Sequence, residues 1–356
     1  MAAAWGLIGL TGGAAVRPAS LPPAPPIPAG LRILSEVTLP SALARACDIR
    51  WAGERSVYLG LGVDGTVEVR LDAAGAAAKE VIPGRSKPGG FSATHRIAAS
   101  AKYLVAAGPA FWVTWRRLDD PVRSDAAFEA IQAIDLRDGQ LALVGARRDE
   151  RGKFGADGAI AWTGSLDKRL TDLKPLLYDA GGPGAPTMNR CLGAELGATR
   201  FLADGSLFVL PGVQPGASLF DREGKLVRTW DTAALGIDAD CTGLSEAVAA
   251  HLAASYEQRQ VWINQRHLVD AVLPLPEGPG LLVRRVEKGR TRWDLKVLRR
   301  EGPVKTIAVP LEGSSEFFAL GGDVRAGRIV LLLHEKTLRG REHQLPRTIE
   351  ASLPAG

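Results

Sequence analysis

Asp238, Asp240 and Thr242 in "DADCTG" stand where a calcium loop places its first three oxygen ligands, with Gly243 at its turn position. Hard cations need converging oxygens of this kind. The twelfth position is Ala249 rather than a bidentate glutamate, so the alternative is that both aspartates favour the positive end of the helix expected over "SEAVAAHLAASYE". A second possible metal set is Asp48, Asn189 and Asp240, which could converge from separate parts of the chain. Six basic residues form a third group: Arg45, His95, Arg96, Arg190, Arg266 and His267 each lie just ahead of an apolar strand-like run. Gathered at one mouth and shielded from water, guanidinium groups hold a carboxylate or phosphate through paired charge-assisted hydrogen bonds. The alternative for each is an ordinary surface ion pair.

Other chemistry is not written in the chain. No G-x-S-x-G elbow, P-loop, H-E-x-x-H or C-x-x-C occurs, and "HEKTL" at His334 lacks a second histidine. Gly60, Gly62 and Gly65 in "YLGLGVDGTVEVRLD" fit the spacing of a dinucleotide loop. That loop needs a helix after the glycines, and Thr66 to Leu71 alternates polar and apolar as a strand does. The glycines are therefore read as a hairpin turn.

The elements that must position these residues are strands. Apolar runs begin at Ser56, Lys102, Gly139, Gly205, Gly280 and Gly327, and most lead into an alternating strand. "RDGQ", "ADGS" and "RAGR" precede three of them as turns of one kind, and "KEVIPG", "KPLLYDAG", "KLVRTWDT" and "VKTIAVP" supply fourth strands. Four strands joined by tight turns and repeated six times spell a propeller. The last unit lacks an outer strand, while "RILSEVTLP" at Arg32 has no unit of its own. Lending that segment to the last sheet removes two exposed edges at once. The expectation is an all-β, six-bladed β-propeller closed by its N-terminal strand, with a helical insert between blades 4 and 5.

In this strand grammar, residues 31–356 resemble the six-bladed propellers of NHL-repeat type. Such a resemblance implies a rigid scaffold with loops at its ends. It leaves open both a protein-binding role and a metal-assisted, lactonase-like hydrolase.

The remaining features bound the setting. Residues 1–30 join an uncharged apolar run, Ala2 to Val16, to a proline-rich linker. The run is shorter than the roughly 20 residues of a membrane span and suits a signal segment, so export is expected, with no transmembrane segment. Net charge is +5 over 356 residues, too mild for a nucleic-acid partner. A basic run from Arg284 to Arg300 opposes eight cations to Glu287 and Asp294. It reads either as a patch for anionic lipid or polymer, or as an outer hairpin guarded by charge. Of three cysteines, Cys191 and Cys241 are the pair that could bridge, with Cys47 outside it. The function expected is an exported, monomeric, non-catalytic propeller that binds an anionic small molecule or a protein on its loop face.

Overall fold

The structure is a computed structural model. It describes residues 30–62, 64–71, 78–84, 96–108, 113–117, 123–125, 128–147, 157–167, 169–178, 197–212, 216–237, 266–314, 317–335 and 345–354. β1 (Arg32–Thr38) is followed by β2 (Asp48–Trp51), β3 (Ser56–Gly60), β4 (Gly65–Arg70) and β5 (Lys79–Pro83), which form sheet 1. Sheet 2 is β6 (Arg96–Ala99), β7 (Tyr103–Ala107), β8 (Val113–Arg117) and β9 (Arg123–Asp125). Sheet 3 is β10 (Phe128–Arg137), β11 (Gln140–Arg147), β12 (Ala159–Ser165) and β13 (Lys174–Tyr178). Sheet 4 is β14 (Ala198–Phe201), β15 (Leu207–Leu210), β16 (Ala217–Phe220) and β17 (Leu226–Trp230), after which comes the short helix α1 (Thr232–Leu235). Sheet 5 is β18 (Leu268–Leu275), β19 (Gly278–Glu287), β20 (Arg290–Val297) and β21 (Lys305–Ser314). Sheet 6 is β22 (Phe317–Arg325), β23 (Arg328–Glu335) and β24 (Arg347–Ser352), with β1 pairing antiparallel along β24. All are antiparallel, and the arrangement is that of a β-propeller.

Packing explains the sequence pattern. Each sheet is covered on both faces by its neighbours, so second strands such as β7 and β11 carry apolar runs. Leu104 to Ala107 and Leu141 to Val144 are all buried. Six apolar clusters each bridge one pair of consecutive sheets, and Val330 and Leu332 of sheet 6 pack with Ile49 and Leu59 of sheet 1. The leading strands β2, β6, β10, β14, β18 and β22 pack each on the next, and β22 meets β2. Outer strands face water, as β17 does with Leu226 and Val227 exposed.

The turns divide in two. Asp138-Gly139, Lys288-Gly289 and Ala326-Gly327 all have positive φ at both residues, the signature of two-residue type I′ hairpins. "ADGS" is of a different kind from "RDGQ" and "RAGR": only Gly205 is left-handed, and Asp204 accepts from the backbone and hydroxyl of Ser206. The glycines of "YLGLGVDGTVEVRLD" serve an antiparallel hairpin, since β3 pairs directly with β4. The leading strand of sheet 4 is β14, later in the chain than "CLGAEL", whose residues lie outside the described set. So does the expected helix over Ser245–Glu257; α1 precedes it, capped by Asp231 at the N-terminus and by left-handed Gly236 at the C-terminus.

Candidate functional site

The leading strands carry charged side chains around the axis. Asp48 Oδ2 accepts from the Ile97 backbone N–H of the next sheet at 2.8 Å, and Asp135 Oδ2 accepts from Phe201 N–H at 2.6 Å. Asp323 Oδ2 accepts from Trp51 N–H at 3.0 Å, which ties sheet 6 to sheet 1. In all three clamps the residue just before the donor is an arginine: Arg96, Arg200 or Arg50.

The arginines reach onward to further acceptors. Arg200 donates from Nε to Val272 O at 2.9 Å, from Nη1 to Asp135 Oδ1 at 3.3 Å and from Nη2 to Gly322 O at 3.0 Å. Arg96 Nε donates to Gln132 O at 3.0 Å. Arg50 Nη1 donates to Asp48 Oδ1 at 2.8 Å and to Ile49 O at 2.7 Å. Gly321 permits this crowding, because a Cβ there would stand 2.3 Å from Asp48 Oδ1. Burial pushes the Asp135 carboxyl above its usual range against the pull of Arg200 and Arg50. Burial first, and then the like charge of Arg50, pushes Arg200 down.

Asp48, Arg50, Arg96, Arg200 and Asp270 are among the residues that line a pocket of about 50 Å³ here. A larger cleft of about 450 Å³ opens between sheets 3 and 4 at the opposite ends of the strands. Its apolar wall is Leu176, Phe201, Leu207 and Phe220, with Lys174 and Arg222 beside it.

The residues singled out from sequence are distributed as follows. Arg96 is the first residue of β6 and lines the axial cavity. Arg45 is exposed and pairs with Asp64 at 3.2 Å. Arg266 and His267 lie half-buried immediately ahead of β18. His95, Arg190, Asn189, Asp238, Asp240 and Thr242 lie outside the described residues. Among the described residues no three His, Cys, Asp or Glu side chains gather as a metal site would require. Sequence reasoning missed Arg50, Arg200, Asp135 and Asp323. The available signal was an arginine followed by an apolar residue inside the leading strand, as in "DIRW" and "ATRF", rather than a base ahead of it.

The basic run lies on β19 and β20, the middle hairpin of sheet 5 rather than an outer one. Most of its charge is neutralised locally. Arg284 is buried with Asp270 at 3.4 Å, Arg285 meets Asp294 at 2.7 Å, and Arg290 and Arg292 share Glu312. Arg299 reaches Glu277 and Arg300 reaches Asp204. A count along the chain sees only two acids; the fold brings four more from other segments.

Cys47 donates its thiol to Gly60 O at 3.2 Å, and burial pushes its pKa up to about 12. Cys191 and Cys241 are outside the described residues. No helix among the described residues is long and apolar enough to cross a membrane.

No protein-family model and no curated protein matches the chain. Solved structures do. A member of the DUF4221 family from Bacteroides vulgatus is 9% identical with a TM-score of 0.53, covering 90% of this chain and 97% of that one. The structure of U3-55K is 12% identical with a TM-score of 0.50, covering 92% of this chain and 100% of that one. Streptogramin B lyase is 8% identical with a TM-score of 0.48, covering 92% and 88%. Likeness at such identity concerns the fold, and a propeller is compatible with binding and scaffold roles in general.

Proposed function

We propose that the chain is an exported, monomeric, non-catalytic six-bladed propeller of NHL type, closed by β1, that binds an anionic ligand or a protein on the face where its leading strands begin. The observation that carries this reading is a convergence at one end. The long connections 84–95, 179–197 and 236–267 all enter leading strands there, at β6, β14 and β18. Arg96 stands at the same end, with Arg45, Arg266 and His267 just ahead of their own strands. Loops on a rigid β frame are where binding residues concentrate. Six inter-sheet clusters and the pairing of β1 with β24 support the six-bladed count.

The hydrolase alternative draws on Asp48, Asn189 and Asp240. Both oxygens of Asp48 are engaged by the backbone N–H groups of Ile49 and Ile97 and by Arg50, which favours a structural use of that carboxylate. Calcium at Asp238, Asp240 and Thr242 would restore the metal reading.

The test is thermal stability with phosphate, citrate, glucuronate and calcium, at low and high salt. The wild type is compared with an Arg96→Ala, Arg190→Ala, Arg266→Ala variant. An organic anion or phosphate should raise the melting temperature of the wild type at low salt and leave the variant unmoved. Equal stabilisation of both, or of neither, removes the anion-binding reading, and stabilisation by calcium alone favours the hydrolase.

A further inference from the structure

We propose that the cleft between sheets 3 and 4 is the docking site of the chain's own proline-rich segment, Leu21 to Pro28. The segment lies outside the described residues, and its sequence "LPPAPPIP" carries no charge. Five prolines in eight residues favour polyproline II, whose three residues per turn put Pro22, Pro25 and Pro28 on one ridge. Proline-rich stretches of this kind dock in grooves lined by aromatic side chains.

The cleft has that make-up. Leu176, Phe201, Leu207 and Phe220 form its apolar wall, and the Gln140 amide and Lys174 ammonium are donors for the carbonyls that polyproline II leaves unpaired. Two basic residues, Lys174 and Arg222, stand against three acidic ones, Asp172, Asp221 and Glu223. The charges of the lining nearly cancel, which suits a neutral occupant. The apolar surface continues outward, because β17 follows the turn that lines the cleft. Its Leu226 and Val227 are two of the four exposed large hydrophobic side chains among the described residues. Such grouping on a surface marks an interaction site.

The place where the chain leaves the described residues points to the occupant. β1 runs opposite to β22, since β24 and β23 lie between them in alternating directions. It therefore begins at the end where the leading strands finish, which is the end where the cleft opens. Just ahead of β1, Leu31 N–H donates to Ala308 O at 2.9 Å, laying the chain against β21 of sheet 5. The junction between sheets 4 and 5 is bridged by Arg228, which donates to the carbonyls of Arg299, Arg300 and Gly302. The cleft lies one sheet further on. Thirteen residues from Arg17 to Ala29 extend to about 40 Å at about 3.1 Å each. Sheets stack about 10 Å apart, so the segment reaches it. The site is at the opposite end from the binding face proposed above and stands without it.

The test titrates a fluorescein-labelled peptide of sequence "LPPAPPIP" against two full-length chains by anisotropy. One is the wild type, and the other carries Pro22→Ser, Pro23→Ser, Pro25→Ser and Pro26→Ser. A tethered copy competes at an effective concentration in the millimolar range, so the peptide should bind the serine variant at least about tenfold more tightly than the wild type. Adding Leu176→Ser to the serine variant should weaken that binding severalfold. If the added change prevents folding, a photoreactive benzoylphenylalanine in place of Glu223 on the exposed lip gives the second readout. Its crosslinks in the otherwise wild-type chain should fall within residues 21–28 of the same molecule. Equal peptide binding by both chains, or none by the serine variant, overturns the proposal, as do crosslinks confined to other segments. A crosslink between two molecules makes the occupant a second copy's segment and overturns docking within one chain.

Discussion

The axis and the rim of sheet 5 use the same chemistry, arginine against carboxylate, in different surroundings. At the axis Arg50 and Asp48 are 2.8 Å apart with side chains 6% and 2% exposed. On the rim Arg290 and Glu312 are 3.1 Å apart with side chains 67% and 41% exposed. Distance barely separates the two; burial does. A rim pair gives up little water and gains little, so it contributes about 0.2–1 kcal/mol. An axial pair is desolvated, and stripping one partner leaves an uncompensated charge costing about 3–5 kcal/mol. The axial carboxylates also accept backbone N–H groups of the next sheet, so each removal opens a junction between sheets as well.

The sharpest way to break the contrast is Asp135→Ala. It strands Arg200 and the Phe201 N–H together. The loss expected in urea unfolding is about 3–5 kcal/mol. A loss below about 1 kcal/mol would mean that water replaces the carboxylate and that the axis behaves like the rim.

A second change sharpens the point. Asp135→Leu combined with Arg200→Met removes the charge and its partner together. The double variant should recover most of what Asp135→Leu alone loses, because a buried ion pair is worth little beyond an apolar pair of like volume. Finding the double variant no better than the single would show that the Arg200 bonds to Val272 and Gly322 carry the stability instead.

At the rim, the Arg290→Ala, Arg292→Ala variant should lose no more than about 1 kcal/mol. Raising sodium chloride to about 1 M should erase that difference, since a Debye length near 3 Å screens exposed charges. The cost of Asp135→Ala should persist in the same salt.

The smallest effect concerns Glu277, whose carboxyl is held below its usual range by hydrogen bonds from Arg299 and Lys305. A carboxyl with a lowered folded pKa adds stability above its unfolded value and loses it as pH falls through the folded one. Glu277→Gln should therefore cost about 0.5 kcal/mol at pH 7 and nothing near pH 2. A difference that survives at the acid end would contradict the ion-pair origin.

The rim and the axis were unequally legible in the sequence. The hairpin over β19 and β20 could be placed from "GLLVRRV" and the alternation that follows, but its charge could not. Glu277, Glu312, Asp204 and Asp270 come from other turns and strands to neutralise it. The axis was seen in two residues, Arg96 and Asp48, the latter singled out as a possible metal ligand. Arg50 and Arg200 stand at matching points within their strands, while Arg45, chosen for preceding a strand, is exposed beside Asp64 and Arg190 lies outside the described residues.

What the sequence by itself determined is the strand order and its repetition. Apolar runs such as "KYLVAAG" and "GRIVLLL" must be covered on both faces, and two-residue turns such as Asp138-Gly139 force the chain back on itself. These are local consequences of burial and backbone freedom, so they can be read along the chain. Which charges meet was decided only by the tertiary structure. Asp135 and Arg200 are far apart in sequence and adjacent at the axis, as Asp204 and Arg300 are at the rim. An ion pair depends on a few ångströms across a junction between sheets, and no periodicity in the chain encodes that distance.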